Sequence, residues 1–342
     1  MTNPLYDTLF GCHAEKATPF LHLADGSTWT HARFLELAAQ YAHVITDHGL
    51  RPGDRLAVQI EKSPQALALY AACVQAGVVF LPLNTAYTVD ELTYFIENSG
   101  AALVVCDPAR ADTLGPVVTS LGAQLATLGA DGAGSLNDLA RDKPLQFETV
   151  PRTGDDLAAF LYTSGTTGRS KGAMLTQDNL LSNAQTLTEV WKFTAHDVLL
   201  HALPIFHTHG LFVATNVTLA AGGAMIFLPK FDIDVVLDRM KDATTMMGVP
   251  TFYTRLLGDA RFTHKLAAHM RLFVSGSAPL LAETHEDFEA HTGHRILERY
   301  GMTETNMNTS NPYDAERRAG TVGFPLPGVE LLITDPATGA EL

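Results

Sequence analysis

The sequence predicts an α/β architecture: two doubly wound, mostly parallel sheets with packed helices, and the start of a small β subdomain at the C-terminal end. Three observations carry this. Short apolar runs alternate with helix-patterned stretches along nearly the whole chain. Polar, glycine-bearing turns follow many of the apolar runs. The length, 342 residues, suits two domains at roughly 150 residues each.

The elements follow in order. Phe34, Leu37, Ala38, Tyr41 and Ile45 fall at helical spacing before Gly49, the pattern of a surface helix. Residues 56–61 read as a strand, 64–76 as a helix and 78–83 as a buried strand. Thr88 and Glu91 form a capping box, each side chain satisfying the other's backbone N–H, and open a helix that stops at Gly100. Residues 102–106 return as a strand. The run 129–134 (GADGAG) and the polar stretch 141–156 suggest a boundary. We therefore expect a first α/β subdomain over 1–155, a second over 156–320 and the start of a β subdomain over 321–342. In the second, strands are expected at 157–163, 198–203 and 224–228, with helices at 177–191 and 211–221. Residues 329–334 read as a strand and 335–339 (DPATG) as a hairpin turn, after which the sequence reads like a piece of something longer.

Composition excludes several function classes. Apolar residues make up 46% and charged residues 18%, ordinary for a globular protein. With 23 Lys+Arg against 37 Asp+Glu, a net charge of −14 disfavours nucleic acid and anionic membrane surfaces as partners. Cys12, Cys73 and Cys106 lie far apart and read as reduced, cytosolic thiols. Asn3, Asp7 and His13 interrupt any secretory signal. The uncharged runs 66–83 and 203–228 are long enough to test as membrane spans, but Gly77, Pro82, Pro204 and Gly222-Gly223 break them into helix and strand. The expectation is a cytoplasmic protein, monomer or weak homodimer.

Chemistry concentrates at strand ends. Polar turns follow the apolar runs at 164–172, 206–210, 250–255, 276–279 and 300–305, and ligands of open parallel sheets bind outside the strands' carboxyl ends. These five turns predict one shared crevice. The densest is YTSGTTGRSKG, 162–172: glycines let backbone approach phosphate oxygens, hydroxyls add donors, and Lys171 supplies charge. Each charge-assisted bond contributes about 1.5–3 kcal/mol. It is not a Walker A loop, since Gly172 follows the lysine, so a phosphate-loop hydrolase is disfavoured. In YGMTE, 300–304, the Glu304 carboxylate suits Mg²⁺ on a nucleotide and Tyr300 offers a flat face to a base. His207 and His209 read as pocket lining rather than zinc ligands, with no cysteine nearby. Arg255 and Arg299 each stand by an apolar strand, either as salt-bridge partners or as anion receivers.

These segments, with GTVGFPLPG at 320–328, resemble the signatures of the adenylate-forming acyl-CoA synthetase superfamily, over essentially the whole chain. VPTFYTRLL (249–257), VSGSAPL (274–280) and ERYGMTET (298–305) look most like the malonyl-CoA synthetases within it. The resemblance implies ATP, Mg²⁺ and CoA as reactants, with malonate or a similar small carboxylic acid activated through an acyl-adenylate. It implies that Thr163, Ser164, Gly165, Thr166, Thr167 and Lys171 hold the β- and γ-phosphates. Gly276, Ser277, Ala278 and Pro279 would frame adenine with Tyr300, Gly301 and Met302. Thr303 would touch the α-phosphate, and Glu304 would bind the metal. His207 would sit beside the reacting carboxylate, with Arg255 and Ser277, assisted by Arg299, on the distal one. A buried distal carboxylate without a cation costs several kcal/mol, so an arginine on the crevice is required on physical grounds. The family's C-terminal lid, with its catalytic lysine, falls outside 1–342, so impaired catalysis is expected. Another small acid, or a non-catalytic nucleotide-binding module, are the competing readings.

Overall fold

The computed structural model describes residues 2–163 and 169–341. Its strands are β1 (Pro19–His22), β2 (Thr28–Thr30), β3 (Arg55–Gln59), β4 (Val79–Pro82) and β5 (Leu103–Cys106). Next come β6 (Gln124–Thr127), β7 (Leu157–Thr163), β8 (Lys171–Thr176), β9 (Val198–His201) and β10 (Ala224–Phe227). The last are β11 (Thr245–Gly248), β12 (Leu272–Ser275), β13 (Leu297–Met302), β14 (Asn306–Ser310) and β15 (Phe324–Pro325).

They build two sheets. The six-stranded one runs β6-β5-β3-β4-β7-β8, parallel except for the β7–β8 hairpin. The nine-stranded one runs β15-β14-β13-β12-β11-β9-β10-β1-β2, parallel from β13 to β1 and antiparallel at both edges. The expected α/β class, with mostly parallel sheets, is the one observed. In the second sheet β10 lies on one side of β9 and β11 on the other, so the strand order reverses there and opens a crevice at the carboxyl ends.

The division expected at 155/156 does not follow the sheets. Strand β7 pairs in parallel with β4, through Phe80 and Ala159, and so completes the first sheet. Strands β1 and β2, from the N-terminal stretch, extend the second sheet beside β10. The polar run before β7 marks solvent exposure, which says nothing about which strand will be its neighbour. One apolar cluster spans both sheets, joining Leu56, Tyr70 and Phe80 to Trp191, Phe212 and Val274.

Local signals held well. The helix Pro64–Ala76 starts with Ser63 accepting the Ala66 N–H and ends at Gly77, in the left-handed conformation at φ 70°. Eleven of its residues are buried, which explains the long uncharged run. Among the described residues no helix is long and apolar enough to cross a membrane. The Thr88–Glu91 capping box forms, each such cap contributing about 0.5–2 kcal/mol. Two expectations fail. The helix expected over 211–221 begins as a π-helix, His209–Thr215, before the α-helix Asn216–Ala221. The strand expected at 329–334 reduces to one bridge, Thr334 to Glu341, because a strand without a neighbour gains no ladder. The turn between them forms, with Asp335 Oδ1 accepting from Ala337 and Thr338 N–H.

Candidate active site

The site grows from the carboxyl ends of β7, β9, β12 and β13. Thr163 ends β7 and pairs with Lys171 at the start of β8. Ser164, Gly165, Thr166 and Thr167 lie outside the described residues. The helix Val89–Ser99 steadies both hairpin arms: the Tyr94 hydroxyl donates to Ser170 O (2.9 Å) and Tyr162 to Asn98 Oδ1 (2.6 Å).

After β9 the chain turns through Pro204–Thr208 into the π-helix, a form frequent at functional sites. His207 Nδ1 accepts the His209 N–H (3.2 Å), which puts the imidazole proton on Nε2. Burial and the nearby Arg299 charge hold the His207 pKa below the usual histidine range, so the ring is neutral at pH 7. Thr208 donates to Asn306 Oδ1 (2.9 Å), tying this segment to β14. His209 Nδ1 meets Ser277 Oγ at 3.1 Å, tying it to the turn after β12.

That turn is built around an arginine. Gly276 passes so close to Arg299 that a Cβ would lie 2.4 Å from the guanidinium carbon, so a side chain here would displace the guanidinium. Ser277 then adopts φ +70°, an uncommon conformation for a side-chain-bearing residue. Arg299, on β13, is 3% exposed, and its Nε and Nη2 are buried with no hydrogen-bond partner among the described residues. Burial pulls its pKa down to about 9, which leaves it charged at neutral pH.

Thr163, Lys171, His207, Ser277, Arg299 and Glu304 line one cavity of about 460 Å³, together with Thr208, Gly301, Met302, Thr303 and Met307. A second cavity of about 240 Å³ adjoins it, sharing Thr163, His207 and Thr303. The expected crevice therefore exists and gathers turns from both sheets. Ala278, Pro279 and Tyr300 are exposed beside it and line neither cavity. Among the described residues no group of three or more His, Cys, Asp or Glu is arranged for a metal.

One expectation needs correcting. Residues 250–255 are not a turn: Pro250 sits at the first position of a helix, Pro250–Leu257, where its missing N–H costs nothing. Arg255 consequently rides on an exposed helical face, stacked over the Phe231 ring at 4.6 Å, and lines neither cavity. Sequence reasoning also missed the end of β4: Pro82, Leu83, Asn84 and Tyr87 wall the second cavity. The same strand-end logic, applied to the polar residues after Leu83, would have found them.

Residues 12–342 match the AMP-binding enzyme family. The chain is 34% identical over 316 residues to the malonate–CoA ligase of Arabidopsis thaliana, covering 86% of this chain and 52% of that protein. It is 37% identical over 285 residues to the mitochondrial malonate–CoA ligase of Mus musculus, covering 78% and 48%. ATP-bound MatB from Rhodopseudomonas palustris superposes with a TM-score of 0.97 at 57% identity, over 100% of this chain and 68% of that one. The chain thus spans about half the length of the curated relatives it matches. Motifs, fold and similarity agree, and the chain belongs to the AMP-binding enzyme family.

Proposed function

We propose that this chain supplies the nucleotide and acid sites of an ATP-dependent malonate–CoA ligase. In the reaction a malonate carboxylate oxygen attacks the α-phosphorus of ATP, pyrophosphate leaves, and the CoA thiol then attacks the carbonyl carbon and displaces AMP. The observation that carries the choice of acid is Arg299: a buried cation without a carboxylate partner among the described residues, on the wall of the cavity that also holds His207 and Lys171. An unpaired buried charge costs several kcal/mol, and an incoming carboxylate removes that cost. The malonate–CoA ligases among its relatives support the same acid.

In this reading Arg299 and Ser277 take the distal carboxylate, and Arg255 takes no part. The His207 Nε2–H donates to the reacting carboxylate and orients it, adding no charge. Lys171 and the 163–167 segment hold the β- and γ-phosphates, and Thr303 meets the α-phosphate. Gly276–Pro279 and Tyr300–Met302 flank adenine. Glu304, exposed on the cavity wall, would hold Mg²⁺ together with phosphate oxygens, where the ion offsets phosphate charge. The net charge of −14 supports a protein that binds neither nucleic acid nor membrane, and we read it as a cytoplasmic monomer or weak homodimer.

Calorimetric titration of malonate, acetate and butyrate into the AMP-bound chain tests the acid. Malonate is expected to bind at least about 10²-fold more tightly than the monoacids. Equal affinities overturn the assignment. Because the chain spans half its relatives' length, we expect pyrophosphate release well below the ordinary range of about 1–10³ s⁻¹.

A further inference from the structure

Lys62 stands between the two sheets, just beyond β3, and no carboxylate pairs with it among the described residues. It is 7% exposed. Its ammonium makes three bonds of 2.9 Å: to His201 Nδ1, to His201 O and to Leu203 O. Three acceptors use all three ammonium protons, and the Phe227 ring face lies 4.2 Å from the nitrogen. Since His201 Nδ1 accepts, its proton is on Nε2, which donates to Gly210 O at 2.8 Å. Thr215 Oγ1 donates to the same oxygen at 3.0 Å. Burial first, and then the Lys62 charge, hold the His201 pKa well below the usual range, in keeping with a neutral ring.

The two anchored carbonyls are the ends of one segment. Leu203 precedes Pro204 and Gly210 follows His209, so the lysine–imidazole pair grips both ends of residues 204–209, which contain His207. The ends are in close contact: a Cβ on Gly210 would lie 1.9 Å from Pro204 O. The Leu203 end is held directly by the Lys62 ammonium from beyond the six-stranded sheet, and the Gly210 end through the neutral His201 ring on β9.

We propose that Lys62, acting through His201, is a positioning residue that fixes the 204–209 segment and thereby aims His207 at the acid. The clamp itself follows from geometry alone; its effect on malonate rests on the function proposed above. Two readouts separate them. By hydrogen-exchange mass spectrometry, Lys62→Met is expected to speed exchange in peptides over 203–211 by about tenfold or more, with other regions unchanged. His201→Phe leaves the two carbonyl bonds and cuts the Gly210 link, so it gives a smaller acceleration over the same peptides. The double variant is expected to add little to Lys62→Met, since both act on one unit. By calorimetry, Lys62→Met weakens malonate binding about tenfold while AMP affinity stays within about twofold. Unchanged exchange over 203–211 in either variant overturns the clamp. Parallel loss of AMP and malonate affinity assigns Lys62 a general structural role and overturns the positioning. If Lys62→Met does not fold, His201→Phe decides by the same two measurements. If the unaltered chain ignores malonate, the acid assignment falls and exchange alone decides the clamp.

Discussion

Two arginines in the nine-stranded sheet meet opposite fates. Arg271, just before β12, forks onto Asp197 at 2.6 and 2.7 Å and donates to Trp191 O. Arg299, on the neighbouring β13, is more deeply buried and has no carboxylate partner among the described residues. Burial alone would raise the Asp197 pKa, but the Arg271 bonds, with those from Thr194 and Thr244, hold it below the ordinary value. The Arg299 pKa moves down because burial outweighs the opposing influence of Tyr253, with no carboxylate paired to it among the described residues. A satisfied arginine closes an account within the fold, whereas an unsatisfied one beside a cavity awaits a group from outside.

The largest effect should come from Arg271→Met, which strands a buried Asp197 and is expected to lower stability by about 3–5 kcal/mol in denaturant titration, with malonate affinity unchanged. A carboxyl whose folded pKa is depressed adds stability above its unfolded pKa and loses it as pH falls through the folded one. The wild-type chain should therefore lose stability below about pH 4, and the variant should lose less there. Somewhat smaller in energy, Arg299→Gln is expected to weaken malonate about 10²-fold while leaving thermal stability equal or slightly higher. A variant that binds malonate normally would make Arg299 a structural residue like Arg271. The smallest change belongs to Arg255→Ala, within about ±0.5 kcal/mol for both stability and malonate binding. A tenfold loss there would restore the placement read from sequence.

Local chemistry made much of this legible. Thr88 and Gly100 announced helix ends through a side chain or the lack of one, and four of the five polar strand-end segments contribute residues to one cavity. What failed was non-local or ambiguous. Nothing in Pro19–His22 announces a partner some two hundred residues away, yet it pairs with Ala224–Phe227. Pro250 suits a turn and the first position of a helix equally, and that choice moved Arg255 out of the crevice and left Arg299 within it. Lys62 drew no notice because its acceptors are mostly main-chain carbonyls, which every sequence contains.

The exchange of strands between the sheets has its own consequence. The nine-stranded sheet needs β1 and β2 from the amino-terminal stretch, while the six-stranded sheet needs β7 and β8, which come after the polar stretch. Cutting the polypeptide near residue 155 would leave each fragment without the strands that complete its own sheet and that the other fragment carries, exposing the flank of β10 to aggregation. Folding of either layer must wait for distant chain to arrive, which favours slow, all-or-none assembly over sequential maturation of two autonomous halves.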